Sequence, residues 1–343
     1  MNGVAGSIFH LHLLDRCNLR CLHCYSDSSP QASTVLPLSR AILAANMAAS
    51  WGYRTLALSG GEPLIYPGLD MLLEHATGAG MRTSVVTNGL LCRTRSDVAR
   101  LRYAGTVSVS IDGPARMHDA MRAREGAFEC AASAVKRLAD TGRPTWVSYG
   151  VTAHNVEHIE EVLEQAMEWG AHGVNFHLIE PAGRATTLAP ATFLTLPARL
   201  RLYITTALLA AVHQKAITIH LDLLHRNTLL QNPSLLYANG ADAAVQLQAE
   251  AVRFLVMNAD GGLAPACHGI HLRYAVGHPE QRGGTEQMWQ RFFSQTFPAL
   301  IRLGCKAYED LRLDERIEVV NPGDWLAERS HRRLQLVSER LSD

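Results

Sequence analysis

From Ser7 onward, short apolar runs rich in β-branched and aromatic residues alternate with longer stretches whose apolar positions recur every three or four residues. "SIFHLHLL" (7–14), "TLALSGGEP" (55–63), "RTSVVTNG" (82–89), "TVSVSIDGP" (106–114), "TWVSYGVTAHN" (145–155) and "GVNFHLIEPAGRA" (173–185) read as strands with their exit loops. "SRAILAANMAASWG", "DMLLEHATGAG", "SDVARLRYAG", "FECAASAVKRLADTG", "VEHIEEVLEQAMEWG" and "PARLRLYITTALLAAVHQKA" read as helices between and after them, the first stopping at Gly52. Such regular alternation predicts parallel strands joined by crossover helices. Six units exceed a nucleotide-binding half. The expected fold is therefore α/β, a partial (β/α)6 open barrel with a smaller C-terminal α+β module. Chemistry in such a barrel gathers at the C-terminal ends of the strands. Taken singly, "SGGEP", "TNG", "SIDG", "TAHN" and "EPAGRA" are turns. Placed on one end of one sheet, they read as a shared site.

After about residue 215 the alternation fades. "AITIHLDLL" reads as a further strand, "LQNPSLLYANGADAA" as a loop region, and "VRFLVMNADGGLAPACHG" as a hairpin turning at Asn258–Gly262. "TEQMWQRFFSQ" and "DWLAERSHRRLQLVSERL" read as helices. The expected division is a barrel domain over 1–215, a connecting helical and loop segment over 216–250, and a module ending in a helix over 251–343.

Composition narrows the class. The chain has 343 residues, 47% of them hydrophobic, with 32 basic against 32 acidic side chains. No basic block suggests nucleic acid or an anionic membrane as partner. No apolar run is long enough to span a bilayer, and no basic leader precedes the first apolar stretch. Seven cysteines is an odd count, and three crowd into eight residues, too close for a disulfide framework. A reducing cytoplasm is the expected location.

Those three, Cys17, Cys21 and Cys24, lie in "RCNLRCLHCY". Soft thiolates at this density bind zinc or an iron–sulfur cluster. With His23 the set could close a zinc site. As a cubane held by three protein thiolates, it would leave one iron open for another ligand. A stretch that also holds Asn18, Arg20 and His23 does not read as ordinary core.

Cys-x3-Cys-x2-Cys followed by an aromatic, at the end of a first strand, resembles the radical S-adenosylmethionine (radical SAM) superfamily. "GGEP" (60–63), "TNG" (87–89) and "SIDG" (110–113) extend the resemblance in the family's order. "HDAMRAREGAF" (118–128) resembles a segment of its peptide-modifying branch. The resemblance implies one [4Fe-4S] cluster on Cys17, Cys21 and Cys24, the catalytic thiolates, and S-adenosylmethionine on the open iron. It further implies that backbone at Gly60, Gly61 and Glu62 receives the methionine amino group. Ser110, with Asn88 and Asp112, would hold the ribose or the polar methionine end. Arg122 would pair with the carboxylate; Ala123 stands where many relatives have glycine, and Arg124 lies close by. Tyr25 would lie against the adenine. The implied reaction is one-electron cleavage of the sulfonium to a 5′-deoxyadenosyl radical, which takes hydrogen from an unactivated carbon. The implied electron source is an external flavodoxin or ferredoxin.

"MNADGGLAPACHGIHLRYAVGH" (257–278) resembles the start of the auxiliary-cluster module called SPASM, or its shorter twitch form. Pro265, Cys267 and Gly277 follow that order; then Gln281, Arg282 and Gly283 stand where a cysteine should follow, and of the later block only Cys305 remains. His268, His271 and His278 are candidate substitutes, but an auxiliary cluster is not expected, and the module reads as degenerate. Cys92 and Cys130 read as small hydrophobes. The implied substrate is a ribosomally made peptide. Haem-type tetrapyrrole processing and a non-catalytic iron–sulfur sensor are the alternatives. The chain begins about fifteen residues before the cysteine loop, so any leader peptide is expected to need a separate leader-binding protein or the barrel itself.

Overall fold

The computed structural model describes residues 7–238 and 248–339, with side chains to 331 in the final helix. Seven strands, β1 (Ile8–His12), β2 (Thr55–Ser59), β3 (Arg82–Thr87), β4 (Thr106–Ile111), β5 (Thr145–Val151), β6 (Gly173–Leu178) and β7 (Thr218–Leu221), pair in parallel in chain order. The helices between them are α1 (Leu38–Ser50), α2 (Leu69–Gly78), α3 (Arg95–Ala99), α4 (Ala115–Arg122), α5 (Ala127–Ala139), α6 (Ile159–Glu168) and α7 (Leu196–Val212). The predicted α/β partial barrel is what the chain forms, and "AITIHLDLL" supplies its seventh strand.

Register fixes the two faces. Phe9, Leu56 and Thr83 lie in one row, Leu11, Leu58, Val85 and Val107 in the next, Val109, Val147 and Val174 in a third, and Tyr149 and Phe176 in a fourth; all twelve are buried toward the helices. The helices meet them with small residues: α1 offers Ala41, Ala44, Ala45 and Ala48 at helical spacing. The intervening positions face the barrel interior and many are polar: His10, Ser84, Ser108, Ser110, Asn175, His177 and His220, beside Ala57, Val86 and Trp146. An apolar outer face packs on the helices, and a largely polar inner face lines the barrel.

The remaining elements are β8 (Leu224–His225), α8 (Arg226–Gln231), α9 (Gln248–Ala251), β9 (Phe254–Met257), β10 (Leu263–Pro265), α10 (Gly284–Arg291), α11 (Phe297–Leu313), β11 (Val319–Val320) and α12 (Pro322–Glu339). The predicted hairpin is β9–β10, with Asn258 N–H donating to Gly262 O at 2.9 Å across its turn. β9 pairs in parallel with β1, extending the main sheet to nine strands. Tyr53 Oη donates to Val252 O at 2.6 Å, and Trp289 of α10 meets Trp51 edge-on with ring centroids 5.2 Å apart.

Two helices lay outside the sequence expectation. α4 occupies the start of the "HDAMRAREGAF" region, and α11 buries Leu300, Leu303, Gly304, Ala307 and Leu311. Pro298 hid α11; it sits in the first turn, where its missing N–H costs nothing, after a π-helical turn at Phe292–Thr296. Part of the expected 230–244 loop is α8 and a 3-10 turn at Pro233–Leu236, and residues 239–244 lie outside the described residues, as does the end of the last predicted helix beyond 339.

Leu255 of β9 is fully buried and registers against Phe9. Leu255→Ala is expected to cost about 2–5 kcal/mol, read as a lowered urea midpoint; a loss below about 1 kcal/mol would mean that β9 does not share the barrel's core.

Candidate active site

The loop carrying the three cysteines leaves β1 and crosses the mouth of the barrel. Cys17 and Cys21 are buried with Leu19, Leu90 and Ala127, and Cys24 packs against them. All three are free thiols. Burial pushes the Cys17 thiol up to about 12 and raises Cys21 as well, so both carry protons until a metal displaces them.

Four barrel loops hold this segment. After β2, Gly60 adopts φ +133° and Gly61 presses on the loop: a Cβ on Gly61 would meet Arg16 O at 2.1 Å. The Gly61 and Glu62 amides donate to Leu14 O at 2.6 Å and Arg16 O at 3.1 Å. The glycines therefore admit the chain's own backbone. The Glu62 side chain is fully buried and accepts from Leu64 N (3.0 Å), Thr87 Oγ1 (2.7 Å) and Asn88 N (2.9 Å), strapping the second loop to the third. Burial raises its carboxyl in spite of these donors. Asn88 gives its amide to Asn18 Oδ1 at 2.7 Å, with Cys17 Sγ at 3.8 Å. From α4, Met121 O accepts the Leu22 amide at 2.9 Å. From the loop after β6, Arg184 donates to Cys21 O (2.7 Å) and Ser28 O (2.8 Å) and pairs with Asp27 at 2.8 Å, while its own amide binds Cys24 O at 2.9 Å. Sequence reasoning flagged "EPAGRA" as a site loop but missed Arg184 as a clamp, because its four partners lie over 150 residues away.

Beside Cys21 sits a buried charge cluster. Arg122 Nε donates to Asp112 Oδ2 at 2.6 Å, and its Nη1 lies 3.8 Å from Cys21 Sγ. Burial alone would raise the Asp112 carboxyl, but Arg122, then His23 and His118, hold it well below its usual range. His23, the possible fourth zinc ligand, turns instead to Asp112, Nε2 to Oδ2 at 3.5 Å. Its Nδ1 and the Nε2 of His118 are buried without hydrogen-bond partners. His118 Nδ1 accepts the Asp112 amide at 3.1 Å, and Asp119 accepts from Gly126 N (2.7 Å) and Phe128 N (2.8 Å), capping α5. The "HDAMRAREGAF" pattern is thus a device that aims Arg122 from the end of α4. Ala123 closes that helix at φ +52°, the left-handed region where glycine is at ease. Ser110 stands half-buried on the inner face of β4, two residues before Asp112, and Tyr25 reaches Ser59 Oγ with its hydroxyl at 3.3 Å.

Of the C-terminal candidates, Cys267 donates to Gly323 O at 3.2 Å, and burial pushes its thiol up to about 12. Cys305 is exposed on α11. His271 Nδ1 accepts from Arg273 N at 3.1 Å, and His278 Nε2 meets Asp260 O at 2.9 Å. Cys92 is buried, as expected of a small hydrophobe, whereas Cys130 is exposed on α5.

Apart from Arg184 and the C-terminal candidates, this geometry falls inside a match to the family described as the Radical SAM superfamily, over residues 11–166. Those residues are a radical SAM domain. The chain is 28% identical over 183 residues to the antilisterial bacteriocin subtilosin biosynthesis protein AlbA of Bacillus subtilis (strain 168), covering 52% of this chain and 41% of that protein. It is 37% identical over 172 residues to an AdoMet-dependent heme synthase of Methanosarcina barkeri (strain Fusaro / DSM 804), covering 49% of each. The match thus spans less than half the length of these relatives. The fold superposes on native anSMEcpe with bound AdoMet and Cp18Cys peptide at a TM-score of 0.64 and 15% identity, covering 97% of this chain and 99% of that one. The agreement of fold runs through the C-terminal elements as well as the barrel.

A radical SAM domain implies a [4Fe-4S] cluster and S-adenosylmethionine. The residues present fit both groups. Three free thiols gather in one clamped loop, a buried cation adjoins one of them, and buried imidazole nitrogens nearby lack partners. Among the described residues no helix is long and apolar enough to cross a membrane.

Burial lowers the His118 pKa to about 4 from 6.5. The unfolded chain therefore binds a proton that the folded chain refuses, and stability falls as pH drops from about 6.5 to about 4, by up to about 3 kcal/mol. His118→Asn, which keeps an acceptor for the Asp112 amide, should flatten that part of a pH–urea stability profile; an unchanged slope would refute it. Ala123→Gly should raise the urea midpoint by an amount equivalent to about 1 kcal/mol; a lowered midpoint would contradict the left-handed cap.

Proposed function

We propose that this chain is a radical SAM enzyme that reductively cleaves S-adenosylmethionine and removes hydrogen from a carbon of a ribosomally made peptide. The observation that carries the proposal is the clamped loop: three free thiols pinned across the barrel mouth, with Arg122 3.8 Å from Cys21 Sγ. In this reading Cys17, Cys21 and Cys24 ligate one cluster. The chemistry that cluster and cofactor supply when bound is a one-electron break of the sulfonium and hydrogen abstraction from an unactivated carbon.

The chain's own residues then have distinct tasks. The Gly61 and Glu62 amides are spent on Leu14 and Arg16, so the carbonyl side of the Gly60–Glu62 loop meets the methionine ammonium. Arg122 pairs with the methionine carboxylate, and Asp112 keeps Arg122 charged and aimed. Ser110, on the inner wall, bonds the ribose or the polar methionine end. Asn88 supports the cysteine loop through Asn18 and Cys17 and reaches the cofactor from there. Tyr25 lies against the adenine. The barrel walls place the substrate carbon and keep water out.

Ser84, Ser108, Asn175 and His177 on the inner face offer hydrogen-bond partners to the amides of a peptide. AlbA, named for subtilosin biosynthesis, and the peptide-bound anSMEcpe support the same substrate class. The heme synthase likeness keeps tetrapyrrole processing as the second reading. The proposal holds one cluster: Gln281, Arg282 and Gly283 stand where a further cysteine would follow Gly277, and only Cys305 remains of the later block. A low-potential flavodoxin or ferredoxin would deliver the electron, and the cytoplasm is the location that suits free thiols. A separate leader-binding protein remains part of the proposal.

Anaerobic reconstitution followed by S-adenosylmethionine and dithionite should yield 5′-deoxyadenosine and methionine. Cys21→Ala should abolish both iron binding and this yield. An intact cluster without cofactor cleavage would favour a sensor, and turnover of an iron coproporphyrin instead of a peptide would favour the second reading. Arg122→Gln should weaken S-adenosylmethionine binding about 10- to 100-fold while iron content stays unchanged; unchanged affinity would remove Arg122 from the cofactor site.

A further inference from the structure

Leu19, Leu90 and Ala127 are the buried side chains that pack with Cys17 and Cys21. They come from three separate loops, and each lies within three residues of an arginine on the surface. Arg20 follows Leu19, Arg93 follows Leu90, and Arg124 precedes Ala127; all three arginines are exposed. Short contacts tie two of them to this cover. Arg93 Nε donates to Leu90 O at 3.1 Å, and the Ala127 amide donates to Arg124 O at 3.4 Å. Among the described residues none of the three has an acidic partner at ion-pair distance. Cys17 and Cys21 are themselves 7% and 8% exposed, so the thiols lie close under the surface.

An apolar spot adjoins the same cover. Leu22, directly after Cys21, is 43% exposed although Met121 O holds its amide. Met117, one turn earlier on α4 and on the same face as Met121, is 37% exposed. The charge around it is lopsided. Against Arg20, Arg93, Arg95, Arg124 and Lys136 stand the exposed acids Glu125 and Glu129. Asp97 and Asp119 accept backbone amides at the starts of α3 and α5. The basic face continues into a cleft lined by Arg95, Arg137 and Arg143, where one Arg143 guanidinium nitrogen is buried without a partner. The chain as a whole is neutral, so acid must gather elsewhere, and α6 carries Glu160, Glu161, Glu164 and Glu168 exposed. Such a separation of charge steers an acidic partner toward the cysteine loop.

An apolar contact among unpaired cations fits a partner with an apolar centre and an acidic rim. A flavin ring presents an apolar edge. A single-stranded nucleic acid would want aromatic faces to stack on, and this spot offers leucine and methionine. We propose that Arg20, Arg93 and Arg124, with exposed Leu22, form the docking surface for an acidic, flavin-bearing one-electron carrier that reduces the cluster. This rests on the radical SAM reading above and adds the place where the electron enters. In the step the carrier's flavin is oxidised by one electron and the cluster is reduced by one, with no bond formed or broken.

The test uses the full chain, reconstituted anaerobically, with a reduced acidic flavodoxin as the probe. Stopped-flow absorbance follows oxidation of its flavin, and surface plasmon resonance gives its affinity for the chain. Both rate and affinity should fall as salt is raised. Arg20→Glu, Arg93→Glu and Arg124→Glu combined should lower both about 10- to 100-fold at low salt and flatten the salt dependence. Arg201→Glu with Lys215→Glu, exposed charges on and just after α7, should change them by no more than about twofold. Iron content, and the electron paramagnetic resonance signal after excess dithionite, should match wild type in every variant. Should the triple variant lose its cluster, the three single reversals carry the comparison by the same readouts. A surface variant that reacts as fast as wild type, or loses no more than the α7 control, would overturn the proposal. Reaction with an acidic ferredoxin but not with the flavodoxin would overturn the flavin assignment. Binding of single-stranded DNA or of an acidic peptide that the reversals abolish, with the flavodoxin rate unchanged, would overturn it in favour of that partner. A wild-type chain that assembles no iron–sulfur cluster would instead refute the reading on which it rests.

Discussion

Asp112 and Arg122 form a buried ion pair 2.6 Å apart, and the arrangement of the site follows from having to accommodate it. An isolated charge at this depth is not tolerated, and removing one partner of such a pair costs about 3–5 kcal/mol. The two residues are ten apart, one after β4 and one at the end of α4, so the pair folds the intervening segment back over the strand ends. His118 completes the fold-back by accepting the Asp112 amide, and Asn155 donates to Asp112 O at 2.9 Å from the neighbouring loop. The result is a fixed cation beside Cys21, oriented before any ligand arrives.

The same logic governs the cysteine loop. The segment that crosses the barrel mouth has few strand-like partners, the Cys17 amide donating to Ser29 O at 3.0 Å, and much of the rest of its backbone is satisfied from other loops. The loop after β2 supplies two amides, α4 supplies a carbonyl, and Arg184 supplies donors for Cys21 O and Ser28 O. Close approach makes the first contact possible, since any side chain at position 61 would collide with Arg16. Three thiols are thereby held in register by interactions that do not involve a metal. Metal binding then has less ordering cost to meet.

Much of this was readable along the chain, and the exceptions share a cause. Six strands and their helices were visible because each carries its own periodicity. The cysteine spacing and "GGEP", "TNG" and "SIDG" marked the site for the same reason: each signal lies within a few residues. Arg184 was invisible in its role, since its partners lie more than 150 residues away in sequence. α11 was obscured by Pro298, although its buried positions keep helical spacing. Glu62 was read for its backbone and Asn88 as a cofactor contact; that their side chains also bond neighbouring loops only the hydrogen-bond geometry reveals.

By itself, then, the sequence determined an α/β barrel with its polar loops at one end and a soft-ligand triad in the first of them, because strand alternation and motif spacing are local properties. Tertiary structure decided that β9 joins β1 in the same sheet and brings His268 to Tyr25, ring centroids 4.8 Å apart. It also decided that Asp112 takes Arg122 and His23 as partners. Those outcomes depend on which buried donors, acceptors and charges can be satisfied together, and that is a property of the packed chain, absent from any single segment.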